Sequence, residues 1–337
     1  MAQKKEAFSS KDFKVGIKAE ATIGDGGAAG TFTLLNVDSV EFPSFNPIQV
    51  FEPRNGSRVA EDNQAFQTNK GVDTEISFSG ILDANSLANL VQNVTGVAHA
   101  TNLVSVTAST TPPSAMGNGD TSAVNKTLEI AVFQPTTSDE GDPASTTTRA
   151  ILMKGATITS FAISGDYSDG GRLKFSATAK SGFVPSFNGS ASFGSLATAF
   201  YNISDYSERT VMASSNDVTL QAFSLNIENP AEYRGFNDSG EPQSIVRAVP
   251  EGPNVTMSAT VKYDDDTAGL VSSKFFSASK QSAQNLLSDN STIASASASG
   301  FELSNAVITG MSLNDNAAMF YDIDFKGLFG TFKIMVG

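Results

Sequence analysis

The chain has no cysteine, no tryptophan and a single histidine, His99. The missing thiols exclude disulfides and thiolate metal sites, and leave the redox compartment open. His99 sits beside small residues with no paired acid nearby in sequence, so no imidazole–carboxylate relay is legible. Long apolar runs are missing as well, and none approaches the ~18 residues of a membrane helix. The N-terminal MAQKKEAFSSKDFKV carries lysines but no apolar stretch, so no signal peptide and no membrane insertion are expected. Without a secretory route, the sequons at Asn93, Asn188 and Asn254 are read as chance. Cations are scarce: 22 Lys and Arg stand against 35 Asp and Glu, a net charge of −13. Such a surface does not seek nucleic-acid phosphate, which disfavours a basic nucleic-acid binder. No Gly-rich phosphate loop follows a strand, and there is no nucleophile elbow. Separated acids could in principle perform glycoside hydrolysis, but nothing singles out a pair. The expectation is a non-enzyme without cofactor or metal.

What the chain does have is Gly, Ser, Thr, Asn and Ala in abundance, arranged around alternating strands. This reads as a mainly β, mostly antiparallel protein. The stretch 221–266 is the most informative. Phe223, Leu225 and Ile227 alternate with Ser224, Asn226 and Glu228. Val255, Met257, Ala259 and Val261 alternate with Thr256, Ser258, Thr260 and Lys262. Period 2 puts one set on a buried face and the other on a wet face. A long loop rich in Pro, Gly and charge separates the two strands, and loops of that length are usually functional. Asp264, Asp265 and Asp266 then precede a short apolar run, which fits a helix cap better than a metal site.

This order of elements has an echo upstream. GVDTEISFSGILD, 71–83, matches GPNVTMSATVKYD, 252–264, in Gly-to-Asp spacing, and Ser77 falls on Ser258. Asp83 caps a helix carrying Leu87, Leu90 and Val91 at i, i+3, i+4 spacing. A second pair is ITSFAI, 158–163, against ITGMSL, 308–313. Each is followed by a turn and an alternating strand, Leu173 to Lys180 and Tyr321 to Lys326. The turn 165–171 has hairpin chemistry and lacks the acid spacing of a calcium loop. A tandem duplication follows from these pairs. The expected organisation is an arm over 1–20, a first domain over 21–183, a connection over 184–213 and a second domain over 214–337. Residues 127–133 and 147–153 read as a hairpin. The weakly apolar stretch up to Leu287 reads as partly helical, and the apolar end 327–337 as a strand that needs a partner.

Taken together, FSLNIEN, a long loop, NVTMSATVKYDDDT entering a helix, and the late AVITGMSLNDNAAMFYDIDFKG make the chain similar to the major tail tube protein of long-tailed phages. The resemblance covers 214–337 well and 30–183 more weakly. It rests on order and spacing, without a single diagnostic motif. It implies two tandem tail-tube-like β-sandwich or barrel domains, each with a short flanking helix, in a fold related to the type VI secretion tube protein. It implies homotrimeric, pseudo-hexameric rings stacked into a hollow tube that conducts DNA without holding it. Implied partners are tape-measure, tail terminator and tail-tip proteins; the implied place is the virion tail, assembled in the host cytoplasm. The wet-face residues would then line the lumen: Asn36, Asp38, Asp73, Glu75, Ser77, Ser79, Ser224, Asn226, Glu228, Thr256, Ser258, Thr260, Asp322 and Asp324. Acidic and hydroxyl walls repel or ignore a passing duplex; the alternative is an ordinary solvated sheet face. The two loops, 42–70 and 229–251, would contact the neighbouring ring through Pro43, Phe45, Phe51, Arg54, Tyr233, Arg234 and Phe236. Lys180, Lys262 and Lys326, near strand ends, would pair with acids of a neighbour. Other β-sandwich virion components (tail-tip, baseplate or capsid decoration) and a bacterial surface binding module are the competing readings.

Overall fold

The computed structural model describes residues 13–20, 23–24, 31–41, 43–44, 48–51, 65–68, 73–95, 103–106, 115–116, 127–134, 149–188, 192–206, 211–212, 216–217, 219–236, 242–247, 253–270, 275–277, 281–288, 300–314, 320–327 and 332–335. The first half contributes β1 (Lys14–Ala19), β2 (Thr31–Leu35), β3 (Val37–Val40), the hairpin β4–β5 (Ile48–Phe51 and Ala65–Thr68), β6 (Thr74–Ile81) and α1 (Ala84–Thr95). It continues with β7 (Leu103–Val106), β8 (Ala115–Met116), β9 (Leu128–Gln134), β10 (Arg149–Asp166), β11 (Lys174–Ser181), β12 (Ser186–Asn188) and β13 (Ser192–Phe193). The second half contributes β14 (Val211–Met212), β15 (Asn216–Asp217), β16 (Leu220–Glu228), the hairpin β17–β18 (Ala231–Phe236 and Pro242–Arg247), β19 (Asn254–Lys262) and α2 (Asp265–Leu270). It ends with β20 (Gln281–Ser288), β21 (Gly300–Asn314), β22 (Phe320–Gly327) and β23 (Phe332–Met335). The protein is mainly β, as its alternation requires.

One long antiparallel sheet organises the chain. Its order is β3–β6–β11–β10–β16–β19–β22–β21. The first four strands come from the first half and the last four from the second, and each quartet is threaded in the same way. Beside each quartet lies a smaller sheet that shares its longest strand. In the first half the order is β2–β1–β9–β10–β12. In the second it is β15–β14–β20–β21–β23, with β7 added at the edge. The shared strands β10 and β21 link eighteen strands into one hydrogen-bonded set. Both carry an irregularity at equivalent points of their ladders, between Ile158 and Ser160 and between Ile308 and Gly310.

The core follows from the period-2 pattern. Ile76, Phe78, Phe161, Ile163, Phe175, Leu225, Ile227, Val255 and Met257 lie on one face of the long sheet and are buried. They pack with Val15, Ile17, Ile130 and Val132 of the small sheet and with Leu87, Leu90, Val91 and Val94 of α1. This single cluster spans both halves, so the two expected domains share one core.

Helix α1 starts where expected. Asp83 Oδ1 accepts from the Ser86 N–H at 2.7 Å, while Ser86 Oγ accepts from the Asp83 N–H at 3.0 Å. Asp264 and Thr267 repeat this reciprocal cap at α2, at 3.1 and 2.8 Å. Such a cap satisfies amide groups that the first helical turn leaves open. Gly80 is fixed by close approach: a Cβ there would lie 1.9 Å from the Asn36 carbonyl oxygen, where the chain passes from β2 to β3.

Several expectations need correction. The charged arm ends before Lys14, because β1 is a core strand lying between β2 and β9; the alternation of Val15 and Ile17 was outweighed by the surrounding lysines. The two long loops each fold into a β-hairpin. In the stretch up to Leu287, α2 supplies the helical part, and 281–288 is the strand β20. The C-terminal strand finds its partners within the chain, on β21 and β7. The hairpin over 127–153 is present as β9–β10, and 165–171 is a capped turn in which Asp166 accepts from the Ser168 N–H at 2.7 Å.

Candidate functional site: the hydrophilic face of the long sheet

Pairing register brings the wet-face residues together in rows. One row runs Ser39, Ser79, Ser176, Ala162, Asn226, Thr256 and Lys326. A second runs Ile81, Lys174, Ser164, Ser224, Ser258, Asp324 and Gly310. Others set Ser77 beside Thr178 and Ser160, and Thr260 beside Asp322 and Ser312. The result is a face of short hydroxyl side chains with scattered charges.

The polar groups satisfy one another across strands. Ser77 Oγ and Thr178 Oγ1 are 3.1 Å apart, and Ser224 and Ser258 share a short O···O contact of 2.5 Å. Thr260 donates to Asp322 at 2.6 Å and Ser79 to Asp38 at 3.2 Å, while within β16 Asn226 donates to Glu228 at 3.1 Å. The bonds between strands bear on the sheet itself. Cross-strand pairs of this kind stabilise a sheet while tethering side chains that would otherwise extend into solvent. At the rim, the Ser168 hydroxyl and N–H hold the Asp166 carboxyl below the usual carboxylate range. Across the same turn Asp169 accepts from Lys174 at 2.9 Å and raises its ammonium pKa.

Of the fourteen lumen candidates, the hydrogen bonds and register place Asp38, Ser77, Ser79, Ser224, Asn226, Glu228, Thr256, Ser258, Thr260, Asp322 and Asp324 on this one face. Asp73 and Glu75 continue it along β6, and both are exposed. Asn36 does not belong to it. Its amide donates to Asp83 Oδ2 at 2.5 Å and to the Ala197 carbonyl at 3.1 Å, which ties the β2–β3 junction to the cap of α1. The face also carries lysines. Lys174, Lys180, Lys262 and Lys326 alternate in phase with the hydroxyl residues. Within the chain, Lys180 pairs with Glu75 at 3.3 Å. Sequence reasoning missed the contribution of β10 and β11, namely Ser160, Ser164, Ser176 and Thr178. Their signal is the alternation with Phe161, Ile163, Phe175 and Ala177.

Of the loop candidates, Phe51 ends β4, Tyr233, Arg234 and Phe236 lie in β17, and Pro43 lies between β3 and β4. Phe45, Arg54 and His99 fall outside the described residues. Strand β18 also pairs with β8, which attaches a piece of the first half to the second hairpin.

A buried acidic cluster lies away from this face. Glu20 accepts from the Thr127 hydroxyl at 2.5 Å, the Gly155 N–H at 3.0 Å and the Gly24 N–H at 3.1 Å. Burial pushes its carboxyl pKa up; the hydrogen bonds oppose that, and neighbouring Glu129 adds to it. Glu129 is itself buried, with Lys18 Nζ at 2.9 Å. The cluster holds Gly155, at φ +60°, in the bend where β10 leaves the small sheet for the long one.

Among the described residues no three or more His, Asp or Glu side chains gather as a metal site, and no helix is long and apolar enough to cross a membrane. No protein-family model and no curated protein matches the chain.

Proposed function

We propose that the chain is a structural subunit of the phage tail-tube type, built by tandem duplication, whose copies close into rings and stack into a hollow tube. The observation that carries this reading is the order of the long sheet. Two quartets with the same threading stand side by side, each with its own small sheet, capped helix and hairpin in the same position. On this reading the repeat units extend over 14–188 and 211–335, wider than the alternating segments alone suggest.

A sheet built from two like units has two like ends. Three chains supply six quartets, and a closed ring of strands removes the open edges. The hydroxyl-rich face would then surround the bore. Hydroxyls and paired charges on a conduit wall give a passing nucleic acid neither a cationic track nor base readout. The lysines on this face are interleaved with acids, so they leave no continuous basic stripe.

Negative-stain microscopy of the purified chain, with mass measured in solution, tests the reading. Trimeric rings or tubes with a central hole are expected, with tubes at high concentration. A discrete closed oligomer that never stacks would move the assignment to a tail-tip or decoration component. A chain that stays monomeric at its highest soluble concentration, including after preformed rings are added, would remove the ring reading altogether.

A further inference from the structure

We propose that Lys18 and Glu129 become joined by an amide bond, formed spontaneously inside the folded chain, with Glu20 relaying the protons. The bond forms within one chain, so it stands or falls apart from the ring reading.

Register brings the three groups together. Lys18 faces Glu129 across β1 and β9, and one step along the Glu20 N–H donates to the Thr127 carbonyl at 2.9 Å. Residues two apart on a strand share a face. Lys18, Glu20, Thr127 and Glu129 therefore make one block, in which long side chains also reach their diagonal neighbours. Around it stand Phe32, Ala131 and Leu152, a buried apolar cluster of its own.

The contact between the amine and the carboxylate is close but poorly satisfied. Lys18 Nζ lies 2.9 Å from Glu129 Oε2 and 4.7 Å from the centre of the Phe32 ring. The Lys18 side chain is 15% exposed and that of Glu129 1%. Neither oxygen of Glu129 has a hydrogen bond. An ion pair taken out of water repays its desolvation only when hydrogen bonds satisfy what the partner leaves open. A buried polar group without one is an exception that calls for a reason.

The fold itself does not supply that reason. Leu128 sits opposite Ala156, and Gln281 opposite Ala306. Ala156 and Ala306 stand at the same distance before the matched irregularities of β10 and β21. Ser282 therefore occupies in the second half the place of Glu129 in the first, and the equivalent strand forms without a carboxylate there.

An amide does supply it, because the product buries no charge. Apolar surroundings favour neutral amine and acid over the separated ions. One ammonium proton passes to Glu129, and the Nζ lone pair attacks Glu129 Cδ as the carbonyl π bond opens. Glu20 gives its proton to the departing hydroxyl and takes one from the nitrogen. The C–O bond breaks and water leaves on the side where Lys18 reaches solvent. Ammonium and carboxylate thus become amide and water, with no oxidant or cofactor, and Glu20 ends as it began. Glu20 suits the relay. The Thr127 hydroxyl and the Gly24 and Gly155 N–H groups hold its carboxyl in place. Burial pushes its pKa up against those hydrogen bonds, and Glu129 adds to the rise, so it keeps a proton to give. Once formed, the bond closes the chain between 18 and 129 and restricts its unfolded state, as a disulfide would in a chain that has no cysteine.

The mass of the full-length chain, purified folded and then denatured, reads the bond directly. The parent is expected to weigh one water less than its sequence requires. Trypsin is expected to leave Lys18 uncut and to release 15–54 and 127–149 as one branched peptide. Lys18→Arg keeps the charge but not the nucleophile, and is expected to show its full sequence mass. Glu20→Gln, with the parent circular dichroism, is expected to accumulate unlinked, since general acid–base help is worth about 10²–10⁴ in rate. A folded parent at its full sequence mass would overturn the proposal, as would a water loss that leaves Lys18 open to trypsin. Linkage of folded Glu20→Gln to the parent's extent would overturn the relay. Linked chains that never form rings would leave the bond standing and remove the tube, whereas rings of unlinked chains would do the reverse.

Discussion

Single residues decide where this chain turns and what it tolerates. Asp83 accepts from the first turn of α1 and from Asn36, so it fixes the helix and the β2–β3 junction together. Replacing it with alanine removes the cap and one of the two bonds of the Asn36 amide. Asp83→Ala is expected to cost about 1–2 kcal/mol, read as a lowered urea midpoint at unchanged slope. Glu20 sets a pH dependence. Its folded pKa is raised above the ordinary 4.5, chiefly by burial, so the folded chain holds this proton more tightly than the unfolded chain does. The stability it contributes is complete below pH 4.5 and is lost as pH rises through the folded value. Parent stability is therefore expected to fall relative to Glu20→Gln as pH climbs through that window. Parallel denaturation curves of parent and variant at a series of pH values would expose the idea as wrong if they showed no divergence.

Secondary elements were legible where one period dominated. The strands around Phe223, Met257, Phe161 and Phe175 announced themselves by alternation, and Asp83 and Asp264 announced both helices. Strand β1 did not, because its two inward residues, Val15 and Ile17, stand among lysines. The hairpins β4–β5 and β17–β18 did not either, since Pro and Gly at their ends read as loop. Asn36 looked like one more polar residue in an alternating strand. Its hydrogen bond to Asp83 depends on a partner 47 positions away, which periodicity cannot supply. Each hairpin occupies the same place in chain order, between two strands that pair with each other. Trimming 42–70 to a short turn is expected to leave rings intact while preventing stacking. Long tubes from the trimmed chain, seen by microscopy, would reject that role.

At the scale of the whole molecule, the shared core makes the halves interdependent. Met257 is nearly fully buried, in a cluster that joins α1 and β6 of the first half to β19 and β21 of the second. A charge there has no partner, so Met257→Asp is expected to cost well over ~3 kcal/mol and to unfold both halves in one transition. Soluble assemblies of normal size from this variant would contradict the placement of its side chain. The duplication could be suspected from order and spacing in the sequence. What the sequence withheld was the side-by-side merger of the two quartets into one sheet, because β10–β16 pairing joins strands whose letters carry no mark of each other.

On the proposed ring reading, the β10–β16 ladder has a kinetic meaning for assembly. Two units held on one chain meet at an effective concentration set by the connecting segment, not by how much protein the cell has made. Half of the seams in a six-unit ring would then be present before any encounter. Closing such a ring would then take three chains, where separate units would have to find five others. Covalent fusion also frees the two hairpins from identity. Every second position around such a ring can carry its own loop, so a circle with six places can display two alternating outer surfaces from a single gene product.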